Sequence, residues 1–262
     1  MARRKIRGAR AIVTGASSGI GRALAMELAR RGAELLITAR RDPQLRELVE
    51  QIEAFSGRAE YLAGDITDPD HRERLRQAAE SRWGGLDLLV NNAGSGGYGP
   101  FADADPGRLR QIMEVNLFAP AELTRICLPL FEQSRSPMVV NIGSVLGHRA
   151  VPGKSEYCAS KFALHGLSDA LRAEFAGRGI DVLLVSPSTT DTEFFDKVGA
   201  GDPSAGKRRK ASPEKVARQA ARAIERGAHE IILSPGGKLL VWLDRLTPTV
   251  ADWLVSRVSG EW

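Results

Sequence analysis

Within "GSVLGHRAVPGKSEYCASKFAL", residues 143–164, Ser144 precedes a helical pattern that carries Tyr157 and Lys161. Residues four apart share one helical face, so Tyr157 and Lys161 reach one spot. A free tyrosine, with a pKa of about 10, is a poor base near neutrality. A neighbouring ammonium favours the phenolate and lowers that value. A serine hydroxyl beside the pair can hold a carbonyl oxygen while the tyrosine gives it a proton or takes one back. The three residue types therefore suit proton transfer on a carbonyl/alcohol pair. Serine-nucleophile hydrolysis is the other chemistry open to Ser144, but no GxSxG elbow surrounds it. A lone YxxxK also fits an ordinary helix, so the chemistry depends on what the rest of the chain brings alongside.

"TGASSGIG", Thr14–Gly21, follows a strand-like run and opens a helical one. Gly15, Gly19 and Gly21 let the backbone turn sharply, and Ser17, Ser18 and Ile20 lie at the free N–H groups and positive end of the helix dipole, where a phosphate is welcome. The spacing is GxxxGxG, a variant of the GxGxxG dinucleotide fingerprint; a glycine turn that only packs strand on helix is the alternative. The second strand-like run ends in "LLITARRD". Folds that bind NAD tend to place an acid there for the ribose 2′-hydroxyl. Arg40 and Arg41 stand there instead, and a guanidinium pairs with a 2′-phosphate. NADP(H) is therefore expected over NAD(H), unless both arginines merely face water.

Elements that position these groups alternate along the whole chain. Strand-like runs cover Arg10–Thr14, Glu34–Thr38, Ala59–Leu62, Leu86–Val90, Met138–Ile142, Asp181–Val185 and Glu230–Leu233. Their near-continuous Val, Ile and Leu content suits strands covered on both faces. Helical patterns lie between them at 19–32, 42–57, 68–84, about 106–134, about 154–177 and 212–226, three with Pro in the first turn. Alternation of this kind predicts an α/β fold, a Rossmann-type doubly wound parallel sheet of seven strands in one domain, 1–262. A segment at about 188–211 is too long for a simple connection and is expected to be a substrate loop. An amphipathic helical tail is expected over about 236–262.

Taken in order, these motifs resemble the short-chain dehydrogenase/reductase family, continuously over about residues 12–192. "TGASSGIG" is similar to its cofactor motif, "DIT" (65–67) to its adenine-side acid, "NNAG" (91–94) to its motif after the fourth strand. Asn116, Ser144 and "YCASK" (157–161) match its active-site asparagine, serine and YxxxK. The resemblance implies that Asp65 and Ile66 flank the adenine and that Asn92, Ala93 and Gly94 line the cofactor. It implies that Ser144, Tyr157 and Lys161 do the chemistry, with Asn116 holding a water that links Lys161 to solvent. Pro187 and Thr192 match the family's segment that meets the nicotinamide, and Thr190 lies in it; Ser188 stands where the family has glycine and Thr190 where it has an aliphatic residue, which puts the local backbone in question. A cofactor-binding sensor of the same fold, without turnover, is the alternative function.

Composition narrows the rest. The net charge is +5, and part of the basic excess sits in "MARRKIRG" and part in "AGKRRKAS" (205–212), separate clusters that suit a solvated basic face and not a nucleic-acid groove. Two cysteines without CxxC spacing, and four histidines (His71, His148, His165, His229) without ligand-like pairing, predict neither disulfide nor metal site and fit a cytoplasmic setting. No run approaches the length of a membrane span. Substrate contacts are expected from Ser144, Leu146, His148, Tyr157 and Phe194, with Tyr98, Phe101, Val151 and Phe195 adding an apolar wall for a small lipophilic ketone. The tail, with Leu239, Trp242, Leu246, Val250 and Trp253, could pack on its own protein, join a subunit or touch a membrane surface. The resemblance also favours a homodimer or homotetramer through the helices at 106–134 and 154–177.

Overall fold

The computed structural model describes residues 4–192 and 210–258, the last five of these by backbone alone. Seven parallel strands form one sheet in the order β3-β2-β1-β4-β5-β6-β7: β1 Arg10–Thr14, β2 Glu34–Ala39, β3 Arg58–Ala63, β4 Leu88–Asn91, β5 Met138–Ile142, β6 Asp181–Ser186 and β7 Glu230–Ile232. The chain switches sides between β1 and β4, and in open parallel sheets a ligand crevice lies beyond the strand ends at such a switch. Successive side chains go to opposite faces. Ala11, Val13, Leu35, Ile37, Leu88 and Val90 enter one apolar core. Ile12, Leu36 and Leu89 enter the other. The near-continuous apolar runs are explained by that two-sided burial.

Helices α1 Gly19–Arg30, α2 Asp42–Glu53 and α3 Pro69–Trp83 follow the first three strands. Asp68 caps α3 by accepting from the Asp70 N–H, whereas α2 starts at Asp42 itself, with Arg41 in the cap position. The segment expected as one helix at 106–134 is broken into α4 Arg108–Met113, a π-helical stretch Glu114–Phe118, α5 Ala119–Ile126 and α6 Leu128–Phe131. Proline explains the breaks. Pro120 has no N–H to give the carbonyl of Asn116, so the i→i−4 ladder cannot continue through that turn. Pro129 does the same one segment later.

Helix α7, Ser155–Ala176, runs against β6, and α8 Pro213–Arg226 packs on α1. Helices α9 Pro235–Leu246 and α10 Pro248–Val258 complete the chain as a helical tail. The basic N-terminus is not wholly a solvated face. Arg4 is buried and donates to Ser136 O (2.8 Å), Pro137 O (3.2 Å) and Asp181 Oδ2 (3.0 Å), stapling the start of β6. A guanidinium has enough donors to satisfy three acceptors at once, which is what makes its burial tolerable. Most of the second basic cluster lies outside the described residues; Lys210 pairs with Asp191 at 3.2 Å.

Candidate active site

The glycine turn is built by close backbone approach. Gly15 has φ +66°, and a Cβ there would lie 2.8 Å from Ala93 Cα. A Cβ on Gly21 would lie 2.3 Å from Asn92 Nδ2. These two glycines let the segment after β4 sit directly on the turn. Asn92 Nδ2 donates to the carbonyls of Thr14 (3.0 Å) and Gly15 (3.2 Å). Thr14 Oγ1 accepts from the N–H groups of Asn92 and Ala93, both at 3.0 Å. Thr14 is thus a structural member of the cradle that motif spacing did not single out; its place at the end of β1, next to the crevice, was the available signal.

Ser18 caps α1 in an extended conformation and its side chain makes no capping bond, so first-turn N–H groups remain for an anionic ligand. Arg41 Nε and Nη2 lie 3.2 and 3.1 Å from Ser17 Oγ, which brings a guanidinium to the same edge. Arg40 is exposed. Burial would raise the Asp65 pKa, but the Thr67 backbone and hydroxyl bonds, both 2.9 Å, and the charge of Arg40 hold it below the usual carboxylate range. Ile66 is buried and packs in the core beside it. Gly94 is exposed at the crevice. On the far side, Gly19 faces Thr192 Cγ2, and Thr190 bridges to Ala211. Ser188 takes no left-handed conformation, so replacing the usual glycine introduces no backbone strain, and Pro187 O accepts the Val145 N–H at 2.9 Å. A free helix terminus, a glycine cradle and nearby guanidinium groups fit a phosphorylated dinucleotide.

Ser144, Tyr157 and Lys161 meet at the carboxyl ends of the central strands. Ser144 caps a 3-10 turn at Val145–Gly147 and accepts from the Leu146 N–H at 3.1 Å; its hydroxyl also hydrogen-bonds the Tyr157 phenol. Tyr157 is 6% exposed and Lys161 4%. Lys161 Nζ donates to Ile142 O at 2.8 Å and lies 5.8 Å from the Tyr157 ring centroid. Burial pushes the Tyr157 pKa up to about 12, with the Ser144 bond acting in the opposite sense. Burial pushes Lys161 down to about 8. The tyrosine is therefore raised, not lowered as expected from the neighbouring lysine, because desolvation disfavours the charged form of each group.

Asn116 sits in the π-helical stretch, buried. Its Nδ2 donates to Ser95 O and Ser160 Oγ, and its Oδ1 accepts from the Ser95 N–H, all at 2.8 Å. The amide therefore braces the segment after "NNAG" against α7, so it is a positioning group. A water relay would use its backbone carbonyl, which lacks an i+4 donor because Pro120 has no N–H. Ser160, unnoticed in the sequence, is the other half of this brace.

The substrate residues separate. Leu146 is half-buried beside Ser144, whereas Phe194 and Phe195 lie outside the described residues. His148 corrects the sequence expectation: its side chain is 1% exposed, so it lines no open pocket. It turns into the protein, with Nε2 2.9 Å from Ser186 Oγ and 3.3 Å from Glu230 Oε1, and its ring centroid 4.3 Å from that of His165. Burial and the neighbouring His165 push its pKa down to about 4.

Strand order and the glycine cradle together define a Rossmann-type α/β fold, with a buried Ser/Tyr/Lys group. The family model described as short chain dehydrogenase matches residues 9–203. A short chain dehydrogenase of Pseudocercospora fijiensis is 38% identical over 72% of this chain and 62% of its own length. Hydroxysteroid 11-beta-dehydrogenase 1-like protein B of Xenopus laevis is 40% identical over 67% of this chain and 61% of its own. This chain thus spans about six tenths of the length of these two relatives. A crystal structure of a short chain dehydrogenase/reductase from Burkholderia phymatum in complex with NAD superposes with a TM-score of 0.86 at 24% identity, covering 94% of this chain and 96% of that one. The chain belongs to the short-chain dehydrogenase/reductase family.

Proposed function

We propose that this protein is an NADP(H)-dependent oxidoreductase that interconverts a carbonyl and an alcohol on a small lipophilic molecule. The observation that carries the proposal is the buried Ser144–Tyr157–Lys161 group beside the glycine cradle. Gly15, Ser17, Ser18, Gly19, Ile20 and Gly21 would hold the pyrophosphate side. Arg40 and Arg41 would hold a 2′-phosphate, Asp65 and Ile66 the adenine, and Asn92, Ala93, Gly94, Pro187, Thr190 and Thr192 the nicotinamide end. When bound, the cofactor supplies or accepts the hydride; the protein supplies position and proton transfer. Ser144 holds the carbonyl oxygen. Tyr157, kept protonated by burial, gives its proton to that oxygen in reduction. Lys161, whose ammonium is easily deprotonated, reprotonates the phenolate. In oxidation the phenolate receives the alcohol proton.

The lipophilic class rests on Leu146 beside Ser144 and on the name of the hydroxysteroid dehydrogenase-like relative. Exposed Leu109, Phe118 and Phe162 on α4, the π-helical stretch and α7 support a homodimer or homotetramer through that face. Two unpaired, buried cysteines suit a cytoplasmic protein. No helix among the described residues is long and apolar enough to cross a membrane. NADPH and NADH oxidation measured against a panel of steroid, aromatic and aliphatic ketones tests the proposal. Turnover with NADPH and an apolar ketone is expected; tight NADPH binding without turnover of any carbonyl would leave a cofactor sensor instead.

A further inference from the structure

Behind the catalytic loop, three elements bring together side chains that are far apart in sequence. His148 follows the 3-10 turn after Ser144, His165 lies on α7, and Glu230 opens β7. One ring nitrogen of each histidine and one carboxylate oxygen lie within 4.8 Å of one another. We propose that His148, His165 and Glu230 bind a divalent zinc-class cation, fastening β7 and α7 to the back of the catalytic loop.

The donor set suits such an ion: two imidazoles and one carboxylate make a recognised zinc coordination set. Tetrahedral zinc with bonds of about 2.0–2.1 Å holds its ligand atoms roughly 3.3 Å apart. The donor atoms, within 4.8 Å of one another, would have to draw together to reach that spacing, and Glu230, a third exposed, has room to turn. A second observation points to a ligand. His148 is buried with Nε2 beside Ser186 and Glu230, yet its Nδ1 has no hydrogen-bond partner, and a buried ring nitrogen left unpaired is costly unless something else occupies it. Outer contacts also fit. His165 Nδ1 lies 3.2 Å from Gly147 O, and a carbonyl partner of this kind takes the Nδ1 proton and leaves Nε2 for an ion. Nε2 lies 3.3 Å from Asp169 Oδ2, a contact that the ion would replace; Asp169 keeps its pairing with Arg172 at 2.8 Å.

Charge is compatible. Glu230 contributes one negative charge, and both imidazoles are neutral ligands. Arg245 of α9 is near enough to act on His148, and it would have to turn outward as the ion enters. The site is separate from the hydride and proton chemistry, so it stands whether or not that chemistry is as proposed.

The test uses full-length protein stripped with a chelator and dialysed. Zinc chloride is titrated against it in competition with a chromophoric chelator, and cobalt chloride is added to a second sample for its visible spectrum. One zinc per chain, micromolar or tighter, a raised melting temperature and tetrahedral cobalt bands are expected. His165→Gln and Glu230→Gln, which alter partly exposed groups, should each weaken zinc at least tenfold, with the metal-free melting temperature and circular dichroism of the wild-type chain. Three results overturn the site: no stoichiometric zinc, octahedral cobalt only, or undiminished zinc affinity in the His165→Gln/Glu230→Gln double variant.

Discussion

Tyr157, Lys161, His165 and Asp169 stand four residues apart on α7 and form one polar stripe, but its two ends are built on opposite principles. At the front, Tyr157 and Lys161 are almost wholly buried, and burial is the leading cause that moves each away from its charged form. At the back, His165 and Asp169 are partly exposed, and carboxylates surround the histidine pair. A desolvated pair without a carboxylate holds protons in a labile state, whereas imidazoles beside carboxylates form a place for a cation. On the proposed reading one helix carries a proton-transfer device and, one turn on, groups of a different chemistry.

The front end breaks most completely at the phenol. Tyr157→Phe keeps the ring and its packing, and removes only the hydroxyl that bonds Ser144. Carbonyl reduction should fall about 10³-fold, within the range of a lost general acid, while NADPH binding and melting temperature stay near wild type. Steady-state kinetics with fluorescence titration of NADPH decide this; a loss under tenfold would remove Tyr157 from the chemistry.

Lys161→Met sharpens the same contrast, because it separates function from stability. Turnover should fall about 10²-fold. Stability at pH 7 should hold or rise, since a buried ammonium opposes folding. The sign follows from the displaced pKa: about 8 in the folded chain against an ordinary 10.5. Between those values the unfolded chain binds the extra proton, so the wild-type protein gains stability from this group as pH rises through that window. Below about pH 8 the penalty is present in full. Thermal melts from pH 7 to 10 should therefore show a smaller wild-type deficit at high pH, and kcat/KM for reduction should decline above about pH 8. A rate flat to pH 10 would contradict the assignment.

Much of the front end was legible from the chain. Turn spacing put Tyr157 and Lys161 on one face, and the strand-like runs located all seven strands to within a residue or two; the central strands, buried on both faces, read as apolar runs, while the edge strands β3 and β7 are only partly covered. Three things were hidden. Asn116 took its brace from a π-helical stretch that a helical pattern does not distinguish from an α-helix, although Pro120 offered a clue. His148, read as a substrate residue, turned inward because β6 and β7 supply Ser186 and Glu230, a tertiary contact that no local spacing encodes. His165 meets it for the same reason, so four histidines scattered along the chain gave no sign of a pair.

The nucleotide edge should give an intermediate effect. Arg40→Ala and Arg41→Ala each remove one guanidinium, and a charge-assisted bond is worth about 1.5–3 kcal/mol. The KM for NADPH should rise about tenfold to a hundredfold, with that for NADH unchanged. Equal losses for the two cofactors would show that the arginines only support the turn, as Arg41 does at Ser17.

The smallest effect is expected where the loop behind the stripe holds the tail. Arg149 Nη1 donates to Asp244 Oδ1 on α9 at 2.5 Å, and Nη2 pairs with Asp252 on α10. Val241 and Ala251 are buried, and a Cβ on Gly237 would lie 2.8 Å from Val145 Cγ2, so the tail packs on its own protein close to the catalytic loop. Its outer side still exposes Leu239, Trp242, Leu246, Val250 and Trp253. Asp252 is well exposed, so that arm contributes little, and the half-buried Asp244 arm carries most of the coupling. Arg149→Met keeps the aliphatic stem and removes both ion pairs. Amide exchange over 235–253 should accelerate several-fold and KM for a ketone should rise less than tenfold, with kcat unchanged, because Ser144 is held separately by its own cap at Leu146. A fall in kcat equal to that in kcat/KM would mean that the tail orders the catalytic loop itself, joining the two ends of the stripe that the structure otherwise keeps apart.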